Sequence, residues 1–188
     1  DRTSRGLGDV YKRQNLRSSL GEKDAFVAAL PGNTRYLANS ESPPGTPPSS
    51  TMNYVVIPKK GEPIAITSSL EEHRCRHESS VNDIRCWTTY PDIKSDGKSA
   101  LEILKSSLKE IKAKQIFADT KVSLGRSFKS SVSSNLNELR SIKSEAELER
   151  IKKAIKQSDD GQRFAYNLVE SGEGPVSYTH LTLPTTDR

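Results

Sequence analysis

The sequence predicts an α/β domain in which a mixed β-sheet containing an antiparallel hairpin has helices packed on it. Residues 53–57 and 63–67 are rich in β-branched side chains and are separated by P-K-K-G-E at 58–62, the pattern of a hairpin. Capping boxes followed by helical periodicity alternate with short apolar runs along the rest of the chain. The resulting order, β, hairpin, α, β, α, β, α, describes one sheet with helices on its faces.

The apolar run D-A-F-V-A-A-L at 24–30 reads as a buried strand ended by a Pro31-Gly32 turn, and residues 33–39 as a single helical turn. Four prolines within 41–50 remove backbone donors and hold the chain extended, so this stretch reads as a loop, either a lid or a spacer. S-S-L-E-E at 68–72 offers two overlapping capping boxes for a short polar helix to about Glu78, and 83–88 reads as a strand. S-A-L-E at 99–102 caps a helix over 99–113, with Leu101, Leu104, Leu108 and Ile111 on one face. A strand at 115–118 is followed by a Ser-rich helix over 124–139, carrying Leu124, Phe128, Val132, Leu136 and Leu139 on one side. After a break at 140–143, the capping box S-E-A-E at 144–147 opens the longest helix, with Leu148, Ile151 and Ile155 in register. It runs to Glu170, stops at Gly172, and reads as the entry to a second domain.

The 188 residues, 32% of them hydrophobic, suffice for one ordinary core. Two cysteines make no disulfide framework. No run approaches the roughly 18 apolar residues of a membrane span, and no secretory leader is recognisable, so a cytoplasmic location is expected. Both termini read as neither helix nor strand. D-V-Y-K-R-Q at 9–14 and V-S-Y-T-H-L at 176–181 resemble one transposon-end sequencing adapter translated from its two strands. On that reading residues 1–14 and 175–188 are adapter-encoded and non-native, and the native insert, 15–174, is a fragment of a longer protein. That insert holds 24 basic and 21 acidic residues with signs interspersed, which gives no basic face for nucleic acid.

His73, Cys75, His77 and Cys86 have metal-ligand side chains, but on a helix Cys75 points away from the two histidines. The competing reading is a polar surface helix with Cys75 facing the sheet and Cys86 as a small apolar strand residue. Asp83 and Asp119 stand at strand ends, where carboxylates of a metal-dependent nuclease would converge, although the sequence offers only scattered ones. Nucleotide-loop, zincin and nucleophile-elbow motifs are absent.

Three segments, L-P-G-N-T-R-Y-L at 30–37, V-V-I-P-K-K-G-E-P at 55–63 and L-R-S-I-K-S-E-A-E-L-E at 139–149, together resemble the creatinase, prolidase and Xaa-Pro aminopeptidase group of metallopeptidases. The resemblance implies that 15–140 is the ribonuclease H-like N-terminal domain of that group. It also implies that 141–174 is the linker and first helix of a truncated pita-bread catalytic domain. Complete members hydrolyse the bond before proline with two divalent metal ions (Mn, Co or Zn) held by two Asp, a His and two Glu beyond that helix. The fragment is therefore expected to bind no cofactor and to be inactive, with no catalytic or metal residues of its own. By the same resemblance the domain serves homodimerisation and closure of the cleft over a proline-containing peptide. Asn33, Arg35 and Tyr36 are then candidates for the cleft rim, since a guanidinium pairs with a carboxylate and a tyrosine ring can cover proline. The competing arrangement packs Tyr36 and Leu37 into the core and leaves Arg35 solvated. Relatives often continue after Y-L with glycine and an aromatic residue, whereas this chain has Ala38-Asn39. The alternative to a peptidase domain is an interaction module of the same architecture that has lost its metal ligands.

Overall fold

A computed structural model describes residues 2–40, 47 and 52–171, so the proline-rich loop, apart from Pro47, and the segment from Gly172 onward lie outside the described residues. Two compact units are present, residues 1–140 and 141–188.

The first unit is built on a six-stranded sheet in the order β4-β3-β2-β1-β5-β6. Its strands are β1 (Asp24–Ala28), β2 (Tyr54–Pro58), β3 (Ile64–Ser68), β4 (Asp83–Trp87), β5 (Gln115–Ala118) and β6 (Lys129–Val132). The expected hairpin is β2–β3, with Gly61 at φ 103 in its turn. β1 pairs antiparallel with β2 and parallel with β5, while β4 and β6 add to the two edges in parallel. β1, β2 and β3 are covered on both faces, which is why they read as near-continuous apolar runs rather than alternating ones.

The two-residue pleat divides those strands between two cores. Ala25, Val27, Val56, Ile64, Ile66 and Ile116 face α4 (Ala100–Glu110), which contributes Ile103, Leu104 and Leu108. Phe26, Ala28, Val55, Ile57 and Ala65 face the other side. There they meet Leu16 of α1 (Arg2–Ser18), Leu37 and Ala38 of α2 (Pro31–Ala38), and Leu136 of α5 (Asn135–Ser141), while α3 (Glu72–Glu78) buries Cys75. Ser99 Oγ accepts from Glu102 N–H at the start of α4, as its capping box requires, and α3 follows a 3₁₀ turn begun by Ser68.

Several expectations are corrected. Residues 124–139 are not one helix. Gly125 takes φ 84, 129–132 pair with β5 as an edge strand, and helix resumes only at Asn135. Serine-rich sequence has little helical preference, and the exposed edge of β5 offers backbone partners instead. Val132, assigned to an apolar helix face, is 62% exposed. α4 stops at Glu110 because Lys112 adopts a left-handed conformation at φ 54. Pro31 opens α2 rather than ending a turn, since a missing N–H costs nothing in a first helical turn. Residues 2–14, expected to lack regular structure, lie in α1. Arg13 and Leu16, three positions apart on one face of α1, are both buried, and the Arg13 guanidinium donates to Leu37 O and Ser80 Oγ, each at 2.8 Å.

The second unit contains α6 (Glu145–Glu170). Ser144 forms the complete reciprocal capping box with Glu147, and none of the helix's described side chains is buried.

Candidate functional site

The β1–α2 junction carries the expected rim residues, and parallel pairing of β1 with β5 decides what surrounds them. Val27 lies beside Ala118, so Asp119 emerges at the turn that leads into α2. The N-cap of α2, Leu30, has no side-chain acceptor for the helix's first N–H groups. Asp119 instead holds the two residues that precede the helix, from 90 and 89 positions away: Ala29 N–H donates to Oδ1 at 2.9 Å and Leu30 N–H to Oδ2 at 3.1 Å. A carboxylate at a helix start also faces the positive end of the peptide dipoles.

Asn33 is 1% exposed, and both ends of its amide are engaged. Nδ2 donates to Asp119 Oδ2 at 2.8 Å, and Oδ1 accepts from Arg140 Nη1 at 2.5 Å. Tyr36 is half-buried, with Lys12 Nζ 4.2 Å and Arg140 Cζ 5.6 Å from its ring centre. Leu37 is fully buried and Arg35 is exposed. The three expected rim residues are thus not one surface: Asn33 is an internal strut, Tyr36 lies beneath two cations, and Arg35 faces outward. Asp119 and Arg140, which organise the junction, were not expected there. Only the strand-end position of Asp119 singled it out in the sequence.

The remaining candidates are separated. His73 and His77 are exposed with ring centroids 4.6 Å apart, whereas Cys75 lies on the buried side of α3, its Sγ 3.8 Å from Ser40 Oγ. Burial raises the Cys75 thiol above its ordinary value, and burial followed by the charge of Glu72 pushes Cys86 up to about 12. Asp83 is bound in a forked pair with Arg85, which also reaches Glu110 and Ser107. Among the described residues no group of three or more His, Cys, Asp or Glu could hold a metal ion. No helix of the described residues is long and apolar enough to cross a membrane.

This arrangement, a mixed six-stranded sheet between helices with α2 braced by Asp119, has the fold of the N-terminal domains of prolidases and Xaa-Pro aminopeptidases. The Xaa-Pro dipeptidase from Bacillus anthracis superposes with a TM-score of 0.65 at 18% identity, over 85% of this chain and 43% of that one. The prolidase from Pyrococcus horikoshii OT3 gives 0.60 at 18% identity, over 85% and 42%. The N-terminal domain of cytoplasmic peptidase PepQ from Mycobacterium tuberculosis H37Rv gives 0.51 at 11% identity, over 69% of this chain and 98% of that domain. The chain therefore spans less than half the length of the dipeptidase and prolidase it resembles. No family model matches the sequence, and no curated protein matches it.

Proposed function

We propose that this chain is the N-terminal accessory domain of a cytoplasmic, metal-dependent Xaa-Pro peptidase of prolidase or aminopeptidase P type, joined to the first helix of the catalytic domain. The observation that carries the reading is the coincidence of fold and linker. The six-stranded unit ends at Arg140, where the R-x-I-K-S-x-x-E-L segment begins, and the capping box of that segment opens α6. In this reading residues 15–140 are the accessory domain, 141–174 the linker and opening helix, and 1–14 and 175–188 adapter-encoded extensions. Two divalent ions, Mn²⁺, Co²⁺ or Zn²⁺, would be held by the catalytic domain, where they would supply Lewis-acid chemistry. The accessory domain contributes homodimer contacts and closes the cleft over a proline-containing peptide, with Arg35, the outward-facing member of the Asn33, Arg35 and Tyr36 set, at its rim.

The native gene supplies the first test: its continuation past Gly174 should encode a D…D…H…E…E series within about 200 residues, one further domain length. Purified full-length protein, assayed with Mn²⁺ or Co²⁺ and an Xaa-Pro dipeptide, should then release proline. A continuation without those ligands sinks the peptidase reading. A folded dimer with no turnover under any of these metals identifies the non-catalytic interaction module instead.

A further inference from the structure

The carboxylate of Asp119, the amide of Asn33 and the guanidinium of Arg140 form an unbroken hydrogen-bonded chain, and its last member is the last residue of the first compact unit. We propose that this chain is a clasp that locks the final turn of α5 to the start of α2, so that the end of the first unit opens only when the clasp breaks. The proposal does not depend on the peptidase reading.

Three observations carry it. Asn33 cannot turn away without leaving a buried amide unpaired, because it is 1% exposed and bonded at both ends. Asp119 is fixed by two backbone N–H groups, so the anchor is as rigid as the β1–α2 turn. Arg140 also lies over the Tyr36 ring, and a side chain added at Gly32 would come within 3.6 Å of its Nη1, so α2 surrounds the guanidinium closely.

The test is amide hydrogen exchange on the full chain, comparing wild type with Asn33→Ala, Arg140→Lys and the double variant. A single ammonium cannot reproduce the guanidinium's bond to Asn33 together with its stacking on Tyr36. Each single change should speed exchange at Leu139, Arg140 and Ser141 by about tenfold, the effect of losing one charge-assisted bond. Amides of β1 and β5 should be unchanged. The double variant should exchange no faster than the faster single variant, since both remove the same link. Arg140→Lys leaves the bonds of Asp119 intact, so it keeps the test decisive should Asn33→Ala lose fold stability. Unchanged exchange at 139–141 in Arg140→Lys, or single effects that multiply in the double variant, overturns the proposal.

Discussion

Asp119 concentrates more structural consequence than any neighbour at the α2 junction. Its two oxygens accept from the backbone N–H groups of Ala29 and Leu30, just before α2, and from the Asn33 amide within it. Asp119→Ala should therefore lower stability by about 1–3 kcal/mol, the usual cost of leaving buried donors unpaired. A shift of the urea midpoint without a change in slope would confirm it, and a midpoint equal to wild type would refute the bracing role. Cys86 gives a pH-dependent counterpart. Burial and Glu72 raise its pKa from 9.0 to about 12, so the folded state keeps the thiol protonated where the unfolded chain has lost the proton. The stabilisation is complete below about pH 9, where both states are protonated, and is lost between about 9 and 12 as only the unfolded state releases its proton. Urea midpoints measured across that range should fall more steeply for wild type than for Cys86→Ala.

At the scale of elements, β4 and α4 are joined by Arg85. It forks onto Asp83 at 2.8 and 3.1 Å and reaches Glu110 and Ser107 on α4, and Asp83 followed by Glu110 holds its guanidinium firmly protonated. Arg85→Met should destabilise more than Glu110→Ala, whose exposed carboxylate makes a pair worth no more than about 1 kcal/mol. Equal losses in thermal melts of the two variants would refute the ranking. The elements legible in the sequence are those written locally: the β2–β3 hairpin, the buried strands β1 and β5, and the helices opened by capping boxes at Ser99 and Ser144. Those that escaped depend on distant partners. β6 is a strand only because β5 leaves an edge for it, and residues 2–14 are helical in a chain where Arg13 reaches Ser80, 67 positions away. The α2 junction was half legible for the same reason. N-T-R-Y-L marked it, but the Asp119–Asn33 bond spans 86 positions and the Arg140–Asn33 bond 107, separations that no periodicity encodes.

For the whole molecule, the decisive contrast is between a unit with two cores and a 26-residue helix with no buried side chain. Leu148, Ile151, Ile155, Phe164, Tyr166 and Val169 are between 43% and 62% exposed, so the apolar side of α6 is only partly covered. Its helicity must come from its capping box, from pairs such as Glu149 with Lys153, and from intrinsic propensity, against Ser158-Asp159-Asp160-Gly161 at its middle. Such contributions leave an isolated helix marginal in water. A protein ending at Lys143 should therefore unfold at the same urea concentration as the full chain. The far-ultraviolet difference between the two should show α6 only partly helical, and it should fade on warming well below the domain's own melting. A midpoint that drops on truncation, or a helical signal from 144–171 that melts together with the sheet, would mean that α6 is integral to the folded domain, and the division of the chain at Arg140 would have to be redrawn.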